Sequence, residues 1–231
     1  MKKKILIALL IIIVLIIGVI AYFLISDLKQ EEKLISEINE LDNLVNAQEI
    51  NIEQIKEKLN KIETRGDYAT VEKAFKQYLS DNFDNIIKIS EILNDEKLVN
   101  ILTAKNYQED GPDFVTTKEY ITNTRQELEE RKLAYTEFFT EEKAMSYIND
   151  KGLDSYYIDL YKNEIVGDIE SANDTSEVEN SIDEIISILN KSEEVINFLV
   201  ENKNNWKIEN DTIVFNNNNL ADQYDELISQ L

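Results

Sequence analysis

The residues able to do chemistry in this chain are overwhelmingly carboxylates: 46 Asp and Glu stand against 24 Lys and Arg, and there is no histidine and no cysteine in 231 residues. Pairs such as Asp81 with Asp84, or Glu141 with Glu142, have the residue types that glycoside hydrolysis uses as acid and base. With so many acids such pairs arise from spacing alone, so they specify no site. Zero histidine removes the commonest general base and transition-metal ligand, and zero cysteine excludes thiolate catalysis, disulfides and zinc-thiolate centres. No Gly-rich phosphate loop and no serine in a strand-turn-helix elbow is present. The expectation is a noncatalytic protein with no cofactor and no catalytic or metal site residues. The alternatives are a cell-envelope enzyme using paired carboxylates and a cation-binding domain.

Two acidic turns, Asp110-Gly111-Pro112-Asp113 and Asn149-Asp150-Lys151-Gly152, gather oxygen ligands as calcium loops do. Neither has the spacing of the helix-loop-helix calcium motif, and Asx-turn and capping preferences account for both. Arg65-Gly66-Asp67 is the tripeptide that integrins read in adhesive proteins. Its plain reading is a turn between helices with Gly66 as the C-cap. Tyr156, Tyr157, Tyr161 and Trp206 are the aromatic candidates for a partner surface. Their competing destination is the core, because burial is the main contribution of an aromatic ring.

Stepping along the chain, helices must position these residues. Gly and Pro are scarce outside the first 25 residues, being Gly66, Gly111, Gly152, Gly167 and Pro112, and apolar residues recur at helical spacing between them. The strongest period runs from Leu34 to Ile62: Ile38, Val45, Ile52 and Leu59 lie seven apart, and Leu34, Leu41, Gln48, Ile55 and Ile62 fill the alternate positions. This stripe pairs with a second copy as a coiled coil, or it packs within its own domain with a break near Asn46 or Asn51. Tyr68, Val71, Phe75, Phe83, Ile86 and Leu93 mark the next helical face. Thr116 with Glu119 has the form of a capping box for a helix bearing Ile121, Leu128, Tyr135 and Phe138, while Thr140 and Asp154 are expected to cap shorter helices. Val178 to Leu199 supplies a last long helix and Leu220 to Leu231 a final amphipathic one. Trp206-Lys207-Ile208 and Ile213-Val214-Phe215, joined through Asn210-Asp211, predict one small β-hairpin.

Ahead of all this stands Met1-Lys2-Lys3-Lys4, then 21 residues, Ile5 to Ile25, without a charge. At about 1.5 Å per residue, such a helix spans roughly the 30 Å of a bilayer's hydrocarbon. The competing reading is a cleaved signal peptide, but the run is longer than the apolar region of about 7 to 15 residues that one carries and lacks a good small-x-small site, which favours an uncleaved signal anchor in contact with the lipid bilayer. Lys2, Lys3 and Lys4 place the N-terminus in the cytoplasm and the main domain outside it. Beyond residue 25 the chain carries 21 basic and 46 acidic side chains, a balance that repels phosphate backbones and predicts no nucleic-acid partner.

At Asp110-Gly111-Pro112-Asp113-Phe114, and again at Asn205-Trp206-Lys207-Ile208 with Ile213-Val214-Phe215, the chain resembles a group of single-pass, helix-rich membrane proteins of low-GC Gram-positive bacteria. The resemblance implies architecture and transfers no site residue. Taken together, the expectation is a mainly α protein. Residues 1–4 form a basic N-terminus, 5–25 a transmembrane anchor, 26–63 a membrane-proximal heptad helix, and 64–231 an acidic extracytoplasmic bundle of antiparallel helices or helical hairpins. Its expected role is to bind a protein or peptide, to space, or to sense at the cell envelope.

Overall fold

The computed structural model describes residues 29–45, 51–162 and 175–231. The expected anchor from Ile5 to Ile25, the candidate break at Asn46, the heptad position Gln48 and Gly167 lie outside the described residues. Among the described residues no helix is long and apolar enough to cross a membrane. These residues form ten helices and one antiparallel hairpin: α1 (Lys29–Val45), α2 (Ile52–Asn60), α3 (Asp67–Leu93), α4 (Glu96–Asn100), α5 (Ala104–Asp110), α6 (Val115–Phe138), α7 (Glu141–Met145), α8 (Ser155–Leu160), α9 (Ser176–Glu201), β1 (Trp206–Glu209), β2 (Thr212–Phe215) and α10 (Asn218–Ile228). The mainly α class and the single hairpin are as the sequence predicts. The helices divide into two units, with α3, α6 and α9 contributing residues to both.

The first unit contains α1, α2, α3 as far as Lys88, the end of α6 from Leu133, α7 and α8. The heptad stripe is not one helix. Asn51 has extended backbone and its Oδ1 accepts from the Gln54 amide at 3.1 Å, so the side chain satisfies an orphan donor and starts α2 afresh. Helices α1 and α2 then pack on one another. Leu34, Leu41, Ile55 and Leu59 are all buried in this unit, each worth about 2 kcal/mol of apolar transfer. Gly66 does not cap the preceding helix, which ends at Asn60 with extended Lys61. It sits instead just before α3 with φ +63, where its carbonyl accepts from the Ala69 amide, so glycine is required by backbone conformation alone. Along α3, Tyr68, Val71, Phe75, Tyr78, Phe83 and Ile86 are buried, as their period predicts. The Tyr78 ring stacks on Phe138 with centroids 4.0 Å apart, and its hydroxyl donates to the Phe138 carbonyl at 2.9 Å. Thr140 caps α7 through the Lys143 amide, whereas Asp154 occupies the cap position of α8 without a side-chain bond.

The second unit holds α3 from Ile89, α4, α5, α6 to Lys132, α9 from Glu179, the hairpin and α10. Its core is built from Ile89, Ile101, Tyr107, Phe114, Ile121, Leu128, Leu189, Ile196 and Leu199. The cap of α6 differs from the expected Thr116 capping box. The Asp110 carboxylate reaches over the turn and accepts from the Thr117 amide at 2.7 Å and the Thr116 amide at 3.3 Å. A full negative charge at the helix start is favoured over a hydroxyl by the dipole, and Phe114, at φ +51, bends the chain to permit it. The hairpin pairs Trp206 with Phe215 and Ile208 with Ile213. Asn210 and Asp211, both at positive φ, form its two-residue turn, so each strand is one residue longer than predicted. Trp206, Ile208, Ile213 and Phe215 are half-buried along one face while Lys207 and Glu209 face water.

Candidate functional site

The four aromatic candidates do not form one surface. Tyr161 is fully buried in the first unit, its hydroxyl donating to the Ala144 carbonyl at 3.1 Å. Tyr157 is half-buried and meets Tyr68 edge-on at 5.2 Å, so it too belongs to packing. Only Tyr156 is open, at 52% exposure. Trp206 belongs to the second unit, where its Nε1 donates to the Leu199 carbonyl at 2.8 Å and its ring packs against Phe114 and Tyr107. The suspected acid pairs are likewise spent on other partners. Asp81 accepts from Tyr147 and Gln77, Asp84 pairs with Lys56, and Glu141 pairs with Lys162. Of the two acidic turns, the first uses Asp110 as a cap and Asp113 as the partner of Lys203. Among the described residues no group of three or more acids is placed to hold a metal ion.

The second unit instead contains an open cleft of about 410 Å³, walled by α4, α5 and the start of α6 and lined mainly by polar and charged residues. That volume lies within the range of roughly 300–1,000 Å³ typical of ligand sites. Two short helices and the start of a long one assemble it because three helix breaks lie close together. Asp95 ends the α3 run and caps α4 through the Lys97 amide at 2.9 Å, and Thr103 caps α5. The cleft's back wall is held by its own bonds. The Asn106 amide donates to the Ile101 carbonyl at 2.7 Å and to Thr117 Oγ1 at 3.1 Å, and the Tyr120 hydroxyl donates to Asp95 at 3.0 Å. Burial, reinforced by the Asp95 carboxylate, pushes the Tyr120 phenol up, so it stays a neutral donor. Burial would also raise Asp110, but the bonds from Thr117 and Thr116 outweigh it and hold this carboxyl below the usual range.

The rim is chemically different from the wall. The Lys97 ammonium lies 5.8 Å above the Tyr120 ring, and Lys105 meets Glu109 only at 3.9 Å with both side chains largely in water. No hydrogen bond or ion pair joins the side chains of Asn100 and Glu96 to other described residues. The mouth therefore offers two cations, two anions and a carboxamide over a rigid floor. Sequence reasoning missed this cleft because its residues come from three elements, two of them under eight residues long. The available signal was the crowding of three breaks, Asn94-Asp95, Thr103 and Gly111-Pro112, into nineteen residues.

A second constellation, in the first unit, concentrates charge inside the protein. The Lys76 side chain is 1% exposed and reaches Glu72 at 2.7 Å, Glu37 at 2.8 Å and the Lys61 carbonyl at 2.7 Å. Glu72, 0% exposed, also accepts from the Glu63 amide and from both the amide and hydroxyl of Thr64. Burial alone would raise its pKa, but the bonds from Lys76 and Thr64 prevail and lower it. Lys58 joins Glu37 at 2.8 Å and Glu40 at 2.6 Å, so the network ties α1, α2, the following loop and α3 together. Glu72 and Lys76 stand four apart on a helix, but only their placement among apolar neighbours distinguishes them from a surface pair. Comparison with protein-family models, curated proteins and solved structures returned no match.

Proposed function

We propose that this protein is a membrane-tethered extracytoplasmic binding module, and that the cleft of its second unit receives a peptide or protein segment. The observation that carries the reading is the cleft's division into a self-satisfied floor and an unsaturated rim. A rigid floor lowers the ordering cost of binding, and a rim with both signs of charge and a free amide matches the backbone and mixed side chains of a peptide. The tether is Ile5 to Ile25, with Lys2, Lys3 and Lys4 on the cytoplasmic side, in keeping with the resemblance to single-pass helical proteins. Spacing or sensing at the envelope is compatible with the same tether.

The test is site-specific photo-crosslinking in the full chain in membranes. A photoreactive residue replacing Asn100, at the cleft rim, is expected to join one polypeptide. The same residue replacing Glu130, outside the cleft, is expected to join none. Lys97→Ala should weaken the Asn100 adduct without altering chain abundance. Equal adducts at both positions, or hydrolysis of an envelope polymer by the purified chain, would overturn the reading.

A further inference from the structure

We propose that the Glu37–Lys76–Glu72 cluster is a lock that keeps the heptad face of α1 and α2 folded into its own chain, and that opening it turns this hairpin into a homodimerisation element. The heptad face has the spacing of an intermolecular seam, and Leu34, Leu41, Ile55 and Leu59 are consumed inside the first unit. Ile52 and Ile62, of the same two heptad series, are already 45% and 39% exposed. More exposed contacts also cross this junction, Lys33 with Glu63, Gln30 with the Arg65 amide and Lys56 with Asp84, but its least exposed charges form one cluster, to which α1 contributes Glu37, α2 contributes Lys58, and α3 contributes Glu72 and Lys76.

A buried ion set tolerates burial only when every partner is present. Removal of Glu37 takes from Lys76 and from Lys58 one of the two carboxylates each one meets, so both ammoniums are less compensated while docked and better solvated when undocked. Glu37 is the carboxylate of α1 that meets both Lys58 and Lys76, so its loss weakens the docking of α1 most directly. Once undocked, the apolar stripe of α1 loses its cover from α3, and a partner of matching period is the same stripe on a second copy. If the chain is tethered as proposed above, confinement to one bilayer raises the effective concentration of that partner.

The experiment compares the full chain with its Glu37→Gln and Lys76→Met variants in detergent micelles, measuring mass by sedimentation and amide exchange by element. The unaltered chain is expected to be monomeric with α1 and α2 protected. Glu37→Gln is expected to lose protection in those two helices by about tenfold or more, to keep it in α6, and to double in mass. Adding Leu41→Gln should return the mass to that of a monomer. Lys76→Met tests the same point from α3, and if it unfolds the unit, Glu37→Gln still decides because Lys76 and Glu72 remain paired. Undocking without a change of mass, doubling that Leu41→Gln does not reverse, an unaltered chain already dimeric with the hairpin protected, or a Glu37→Gln chain that stays docked would each overturn the proposal.

Discussion

Glu72 shows how strongly a single residue can depend on its surroundings. By sequence it is one acid among 46, yet its side chain is fully buried and accepts bonds from Lys76, Thr64 and the Glu63 amide. Glu72→Gln removes the charge while keeping the shape, leaving Lys76 less compensated, and is expected to cost about 3 kcal/mol of stability at neutral pH. The sign with pH follows from the lowered pKa. The contribution is present above the unfolded glutamate value of about 4.3 and is lost as pH falls through the lower folded value. Denaturant unfolding of the two proteins at several pH values should therefore show a gap that is constant near neutrality and closes in acid. A gap that widened in acid would contradict the assignment.

Between elements, the decisive contact is the seat of the hairpin on the turn after α5. A Cβ on Gly111 would stand 2.4 Å from the Tyr107 carbonyl and 3.0 Å from the Trp206 ring. The first of these is backbone and cannot yield, so Gly111→Ala is expected to destabilise by about 2 kcal/mol. It should also shift Trp206 fluorescence, a readout that a loss of stability elsewhere would leave unmoved in the folded protein. The hairpin itself was legible because Asn210-Asp211 between alternating apolar residues has a local cause. The α6 cap was not, because Asp110 reaches it across a turn while Thr116 offered a nearer and conventional choice. Asn51 restarting α2 was legible only as one of two options, since a heptad period persists through a break of suitable length.

For the whole molecule, the proposed topology can be checked because the chain has no native cysteine. A single Asp222→Cys, on an exposed position of α10, is expected to react with a membrane-impermeant maleimide in intact cells. Labelling only after permeabilisation would place the domain inside. The sequence by itself determined the helical class, the hairpin, most apolar faces and the uncharged run from Ile5 to Ile25, because periodicity, turn chemistry and the length of an apolar run are local properties. It also excluded thiolate and histidine chemistry outright, since no fold can supply a missing side chain. Only the tertiary structure decided which of 46 acids are buried, that Tyr161 and Tyr157 serve packing rather than a surface, and that α4, α5 and α6 enclose a cleft. Those outcomes depend on residues far apart in the chain meeting in space, and the energies that separate a buried ion set or a walled cleft from exposed helix faces come from neighbours that spacing does not name.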